Sequence, residues 1–383
     1  MDLEQMIESA AGNGASDLHL EAGMPAAVRV RGVLRVTGEP VAPKLLAELA
    51  CGLVGETHWP EFLERRSFDM SKTIRGVRCR INILQTARGV GLAIRLLSSF
   101  QATVEKLNLL PDIKKLVRHQ HGLILVSGPT GCGKSSTMAA LIQEINLTET
   151  RHILTVESPI EYSFRPRRAF IRQREVGRDT PSFDQALLDA LREDPDVLMV
   201  GEMRDPETMR LTLSASETGH LVLATVHSST CAEALQRVAS AFPAEIQSSV
   251  CAQLADCLVA VISQRLGFRP DLNIRVPECE ILMATHAVKN FIRSREFFKI
   301  VSALETGAEH DMWTFQRYAR WLESRVDFFV PGRDAEPPDN DLPGGVSAAP
   351  APAPPSLPGE THRIEIEPIE GDFGKILKRP GAK

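Results

Sequence analysis

Apolar and polar residues alternate with a period of two in three stretches near the start of the chain. These are Leu18-His19-Leu20, Ala27-Val28-Arg29-Val30-Arg31 and Arg78-Cys79-Arg80-Ile81-Asn82-Ile83. Successive side chains of a strand point to opposite faces, so each stretch predicts a half-buried strand. Residues 1–11 and 43–54 instead space their apolar positions at helical intervals. Together they predict a small α+β domain over residues 1–100. Beyond it the pattern changes. Apolar runs at 123–127, 153–156, 197–200 and 221–226 alternate with helical stretches from Lys134, at 183–192 and at 207–217. That alternation predicts a parallel sheet with helices on both faces, over residues 101–330.

The pattern then fails. Residues 331–360 hold nine prolines and four glycines, a density at which neither helix nor central strand survives. Residues 331–383 are therefore expected to be a Pro-rich linker and disordered tail. Within it Arg363-Ile364-Glu365-Ile366-Glu367 alternates like a strand, and Phe373-Gly374-Lys375-Ile376-Leu377-Lys378 is weakly amphipathic. Both fit a frayed end, or a short motif that docks on a partner.

Composition narrows the function classes. Of 383 residues, 43% are hydrophobic and 24% charged, as in soluble globular chains. Aromatic residues are only 5%, so aliphatic side chains must form the cores. Lys and Arg total 44 against 49 for Asp and Glu, a net charge of -5, which argues against a broad nucleic-acid surface. No apolar run approaches the roughly 18 residues that span a bilayer, and the start lacks the features of a secretory signal. The seven cysteines form no CxxC pair, so neither a disulfide framework nor a zinc ribbon is supported. A reduced, cytoplasmic protein is expected.

The chemistry gathers in the second region. Gly128, Pro129, Thr130, Gly131, Cys132, Gly133, Lys134 and Ser135 fit G-x-x-x-x-G-K-[ST], with Ser136 adjoining. The motif follows an apolar strand and opens a helix, where backbone N–H groups and the helix N-terminus attract phosphate. Lys134 is expected at the β/γ-phosphates of ATP and Ser135 at Mg²⁺. The run Asp196-Val197-Leu198-Met199-Val200-Gly201-Glu202 brings a carboxylate to the carboxyl edge of a parallel sheet, beside the P-loop. Glu202 is the candidate base for the attacking water. Glu157 and Glu161 flank the end of another strand, and His227 ends the strand that His220 begins. His227 is placed to sense the γ-phosphate, whereas His220 is expected to be structural.

P-loop, acidic segment, Val-Gly-Glu and Thr-Gly-His…His, in this order, resemble the secretion-superfamily hexameric ATPases, most of all the type IV pilus retraction motors of the PilT family. The resemblance also rests on 172–180 (RQREVGRDT), 190–196 (ALREDPD), 201–205 (GEMRD) and 217–223 (ETGHLVL), and on Ala15-Ser16-Asp17-Leu18-His19-Leu20 upstream. It covers roughly residues 1–325. It implies a PAS-like N-terminal domain, a RecA-like ATPase domain followed by helices, and a homohexamer. In the family's terms Glu157 and Glu161 fall in the Asp box, Glu202 in Walker B, and His220 and His227 in the His box. Glu157 is thereby a candidate for the metal site, and Arg80, Arg88 and Arg95 are candidates to reach the nucleotide from the N-terminal domain. The implied activity is ATP hydrolysis that drives pilus retraction and twitching motility through the inner-membrane platform protein, with peripheral membrane association only.

The chain departs from the family pattern in three places. Ser158 replaces the aspartate of the Asp box, the segment 285–293 matches the family's retraction helix only loosely, and the Pro-rich tail is unusual. The first two leave open an accessory subunit that works with a paralogous pilus ATPase. A pilus-extension or type II secretion ATPase would carry a further N-terminal domain and a four-cysteine zinc module. A RecA-like DNA enzyme is disfavoured by the charge balance.

Overall fold

The computed structural model describes residues 2–30, 33–97 and 102–331. Of the tail, only Pro331 lies within the described residues. The described residues gather in one compact unit, within 1–333, which contains two sheets.

The first sheet is antiparallel throughout. Helix α1 (Leu3–Gly12) leads into β1 (Ala15–Leu20), β2 (Pro25–Val30) and β3 (Val33–Pro40), then helix α2 (Pro43–Arg65), and β4 (Ser67–Ile74), β5 (Val77–Thr86) and β6 (Gly89–Leu97). The strand order is β3-β2-β1-β6-β5-β4. The expected strands at 18–20 and 78–83 lie within longer elements, and residues 27–30 of the expected strand 27–31 lie in β2, whereas Arg31 lies outside the described residues. Helix α2 runs past the expected end at 54 because a second helical stretch follows a kink at Gly55, whose φ of 74° no helix accommodates. Ile7, Leu46 and Phe62 of the helices and Leu18, Ile81 and Ile94 of the strands share a buried core.

The second sheet contains seven strands. In chain order these are β7 (Gly122–Ser127), β8 (His152–Glu157), β9 (Phe170–Glu175), β10 (Val197–Val200), β11 (Leu221–Val226), β12 (Leu258–Arg269) and β13 (Ile274–Met283). Their spatial order is β13-β12-β7-β11-β10-β8-β9. All neighbours pair in parallel except β12 with β13, a long antiparallel hairpin. Strands β7, β10 and β11 are buried at every residue, which is why their sequences are continuous apolar runs.

Helices cover both faces. Helix α3 (Lys134–Thr148) packs on one face beside residues 111–118. The opposite face carries α4 (Phe183–Ala190), α5 (Pro206–Glu217), α6 (Cys231–Ser240), α7 (Gln247–Cys257), α8 (His286–Arg293) and α9 (Lys299–Thr306). Helix α10 (Phe315–Ser324) returns to the first face through Tyr318 and Leu322. Starts are well specified: Ser182, Asp205, Thr230, Thr285 and Thr314 each accept a backbone N–H of the helix they precede. The expected α/β architecture with a parallel-sheet core, behind a smaller α+β unit, is the one observed.

Candidate active site

Strand β7 delivers the chain to the P-loop at the carboxyl edge of the parallel sheet. Between Ser127 and Lys134 the backbone passes through Gly128, Gly131 and Gly133 at φ of 151°, 78° and 90°, where a side chain is strained. At Gly128 there is also no room. A Cβ there would stand 2.4 Å from Cys132 Sγ and 2.4 Å from the carbonyl oxygen of Gln264.

Lys134 folds back on its own loop. Its ammonium donates to the carbonyls of Gly128 (2.9 Å) and Pro129 (3.1 Å) and stands 3.4 Å from His227 Nδ1. Burial lowers its pKa below the ordinary lysine value, against the opposing pull of Cys132, Glu202 and Glu161. Ser135 is exposed at the start of α3. The loop is braced from β12, where Gln264 Nε2 donates to the Cys132 carbonyl (2.5 Å) and Gln264 Oε1 accepts from Thr137 Oγ1 (2.6 Å). Ser136 Oγ lies 2.7 Å from the hydroxyl of Tyr162.

Strands β10 and β11 pair in parallel, with Val200 opposite Ala224, so the residues that follow them emerge side by side. Glu202 and His227 are those residues. Glu202 Oε1 is 2.8 Å from His227 Nε2 and 2.7 Å from Arg204 Nε. The lysine ammonium can only donate, so Nδ1 of His227 accepts and its ring proton sits on Nε2, facing Glu202. Burial pushes the Glu202 carboxyl up, but hydrogen bonds from Arg204 and His227 and the charge of Arg204 outweigh it and hold the group below the ordinary carboxylate range. Arg237 Nη1 donates to the His227 carbonyl at 2.9 Å. Thr130, Glu202, Arg204, His227, Ser229 and Arg237 border a cleft of about 660 Å³.

The acidic segment after β8 divides its carboxylates between the interior and the surface. Glu157 is buried and accepts from Thr155 Oγ1 (2.8 Å) and Gln173 Nε2 (3.0 Å). Burial pushes its pKa up to about 7 despite these bonds. Ser158 is exposed and Glu161 half-buried. The segment touches the P-loop helix through Tyr162. Oxygen donors such as Ser135, Glu161 and Glu202 suit Mg²⁺, which completes its shell with water and substrate phosphate. Among the described residues no cluster of three or more His, Cys, Asp or Glu side chains could hold a metal alone.

His220 sits at the opposite end of β11, its Nδ1 3.0 Å from the Ala215 carbonyl, as expected of a structural histidine. Arg80 and Arg95 are exposed on the N-terminal sheet and Arg88 in the turn between β5 and β6, and Arg95 Nε donates to Asp17 Oδ1 at 3.2 Å. The described contacts bring none of the three to the cleft within this chain. Arg204, Tyr162, Gln173, Gln264 and Arg237 were missed from sequence. Arg204 had a signal, lying two residues beyond Glu202, and Ser263-Gln264 interrupts an apolar strand. The other three had no local mark.

No described helix is long and apolar enough to cross a membrane. Residues 1–291 match the family model of the Type II/IV secretion system proteins. The chain is 40% identical over 327 residues to the type IV pilus retraction ATPase PilT of Pseudomonas aeruginosa, covering 85% of this chain and 95% of that protein. It is 35% identical over 332 residues to the type IV pilus ATPase PilU of the same organism, covering 86% and 87%. A crystal structure of the pilus retraction motor PilT with bound ADP superposes with a TM-score of 0.75 at 38% identity, over 84% of this chain and 96% of that one. The chain belongs to the Type II/IV secretion system protein family, among its PilT-like retraction ATPases.

Proposed function

We propose that this protein is a cytoplasmic, homohexameric ATPase that powers type IV pilus retraction at the inner-membrane pilus base, acting on the platform protein. The observation that carries the enzymatic part is the line Lys134–His227–Glu202, linked at 3.4 Å and 2.8 Å on the edge where the P-loop lies. The pilus assignment is supported by the likeness to PilT over most of both chains.

The glycine-rich loop from Gly128 to Ser136 cradles the phosphates of ATP. Lys134 exchanges its loop carbonyls and His227 Nδ1 for β/γ-phosphate oxygens. Ser135, with Glu161 or Glu157 nearby, would hold Mg²⁺, which would supply neutralisation of the phosphate charge. Glu202, kept ionised by Arg204 and His227, accepts the proton of the attacking water. We assign residues 1–100 and 101–330 as the two moving domains, with ATP differentially bound by their open and closed arrangements supplying the driving free energy.

Purified Lys134→Ala and Glu202→Gln are expected to lose on the order of 10²–10⁴-fold in kcat. Undiminished hydrolysis by Lys134→Ala would overturn the assignment. In a deletion strain, twitching is expected to be lost and restored by the wild-type gene but not by Glu202→Gln. Retention of normal pilus retraction in that strain would remove the pilus role and leave the ATPase standing.

A second reading, an accessory subunit of a retraction motor, is favoured by one feature. The segment that should present carboxylates holds an exposed Ser158 beside a Glu157 buried and half-neutral near pH 7. Turnover by the isolated protein, compared with turnover after mixing with a paralogous pilus ATPase, separates the two.

A further inference from the structure

Glu175, the last residue of β9, is 4% exposed, and one of its carboxylate oxygens gathers groups from both sheets. Oε2 accepts from Ser71 Oγ of β4 at 2.5 Å, from Arg78 Nη2 of β5 at 3.0 Å, and from the backbone N–H of Ile160 at 3.2 Å. Arg178 Nη1 stands 3.7 Å away. Arg78 closes the ring, donating to Ser71 Oγ (3.1 Å) and to the Ile160 carbonyl (3.5 Å). Two partners thus belong to the N-terminal sheet and one to the acidic segment that carries Glu161. Two residues beyond Ile160, Tyr162 reaches Ser136 beside the P-loop lysine.

We propose that Glu175 is a positioning residue that couples the N-terminal sheet to the nucleotide site, through Ile160 and Tyr162. The proposal rests on the ATPase reading above and names the path by which that site reports to the N-terminal sheet. A surface ion pair would be too weak and too soft for this. A carboxylate this buried, bonded to a guanidinium, a hydroxyl and an amide at one oxygen, fixes the geometry of all three. Moving β4 and β5 relative to the parallel sheet must therefore either drag residues 160–162 or break the cluster. Arg78, which the sequence places in the same arginine-rich run as Arg80, is committed here to its own chain.

The test uses the full-length protein. In the wild type, hydrogen exchange is expected to change on ADP addition at 160–162 and also in strands β4 and β5. In Glu175→Gln the ADP-induced change at the P-loop is retained and the change in β4 and β5 is lost. Turnover should fall about 10–100-fold, as expected when reacting groups are misplaced from a distance. ADP affinity should stay within about threefold, because the lost interaction does not touch ground-state nucleotide. Ser71→Ala is expected to act in the same direction and Ser71→Thr to retain coupling, a rescue that needs the hydroxyl and not the volume. If Glu175→Gln does not fold, the Ser71 pair decides. Wild-type turnover together with a normal response of β4 and β5 in these variants overturns the proposal. If the wild type hydrolyses no ATP, the functional reading falls, while the ADP-driven exchange response still decides the coupling.

Discussion

At Gly128 the backbone turns at φ 151° and the position a Cβ would take is occupied by Cys132 Sγ and the Gln264 carbonyl oxygen. Gly128→Ala is therefore expected to abolish ADP binding, by moving either Cys132 or Gln264 out of place. Gln264 offers the gentler probe of the same brace. Gln264→Ala leaves the Cys132 carbonyl and the Thr137 hydroxyl without this partner, and an unmade buried hydrogen bond costs about 1–3 kcal/mol. Urea unfolding should show that loss, and calorimetry should show weaker ADP binding. Unchanged ADP affinity at reduced stability would mean that the brace serves folding and not the loop. The P-loop itself was legible because its residues are contiguous and their spacing states the chemistry. The brace was not, since Thr137 and Gln264 are 127 residues apart and meet only because β12 pairs with β7.

Strand β8 ends in a carboxyl placed under a different constraint. The unfolded chain releases the Glu157 proton near the ordinary value of 4.5, the folded chain at about 7, chiefly because burial penalises the charge. Between those values the folded state holds more protons. Stability therefore falls as pH rises from about 4.5 to about 7 and levels off above. Glu157→Gln should remove this slope and, near pH 8, stabilise the nucleotide-free protein by up to roughly 3 kcal/mol. Denaturant titrations across that pH range, with chelator present, would show parallel slopes for both proteins if the idea is wrong. The neighbouring elements show what sequence reveals of a sheet. Strands β7, β10 and β11 are central, wholly buried, and so written as pure apolar runs. Strand β9 is an edge strand with Phe170 and Arg172 exposed, and its mixed sequence gives no period. The β12–β13 hairpin was missed for a related reason. Its outer half leaves the core, where Arg265, Leu266 and Phe268 meet solvent, so the apolar run of its inner half fades midway.

For the whole molecule, the placement of the N-terminal arginines sets how neighbouring subunits would meet. Arg80 on the antiparallel sheet and Arg88 in its β5–β6 turn are exposed and do not border the cleft of their own chain, whereas Arg78 is bound internally to Glu175. A ring supplies what one chain lacks, because a head-to-tail contact presents the same face of each subunit to its neighbour. The consequence is testable without a structure of the ring. An Arg80→Ala/Arg88→Ala double variant keeps its P-loop, and Lys134→Ala keeps its arginines, so each alone should be nearly inactive. When the two are unfolded, mixed in equal amounts and reassembled, a site with Lys134 from one subunit and arginines from the next forms at about a quarter of the junctions, if assembly into a closed ring is random. ATPase activity near that fraction of the wild type is expected. If instead the arginines serve the nucleotide of their own chain, no mixed junction is complete and activity stays at the level of the separate variants. Sedimentation of the mixture confirms that rings re-formed, so that a silent result counts against action between subunits and not against assembly.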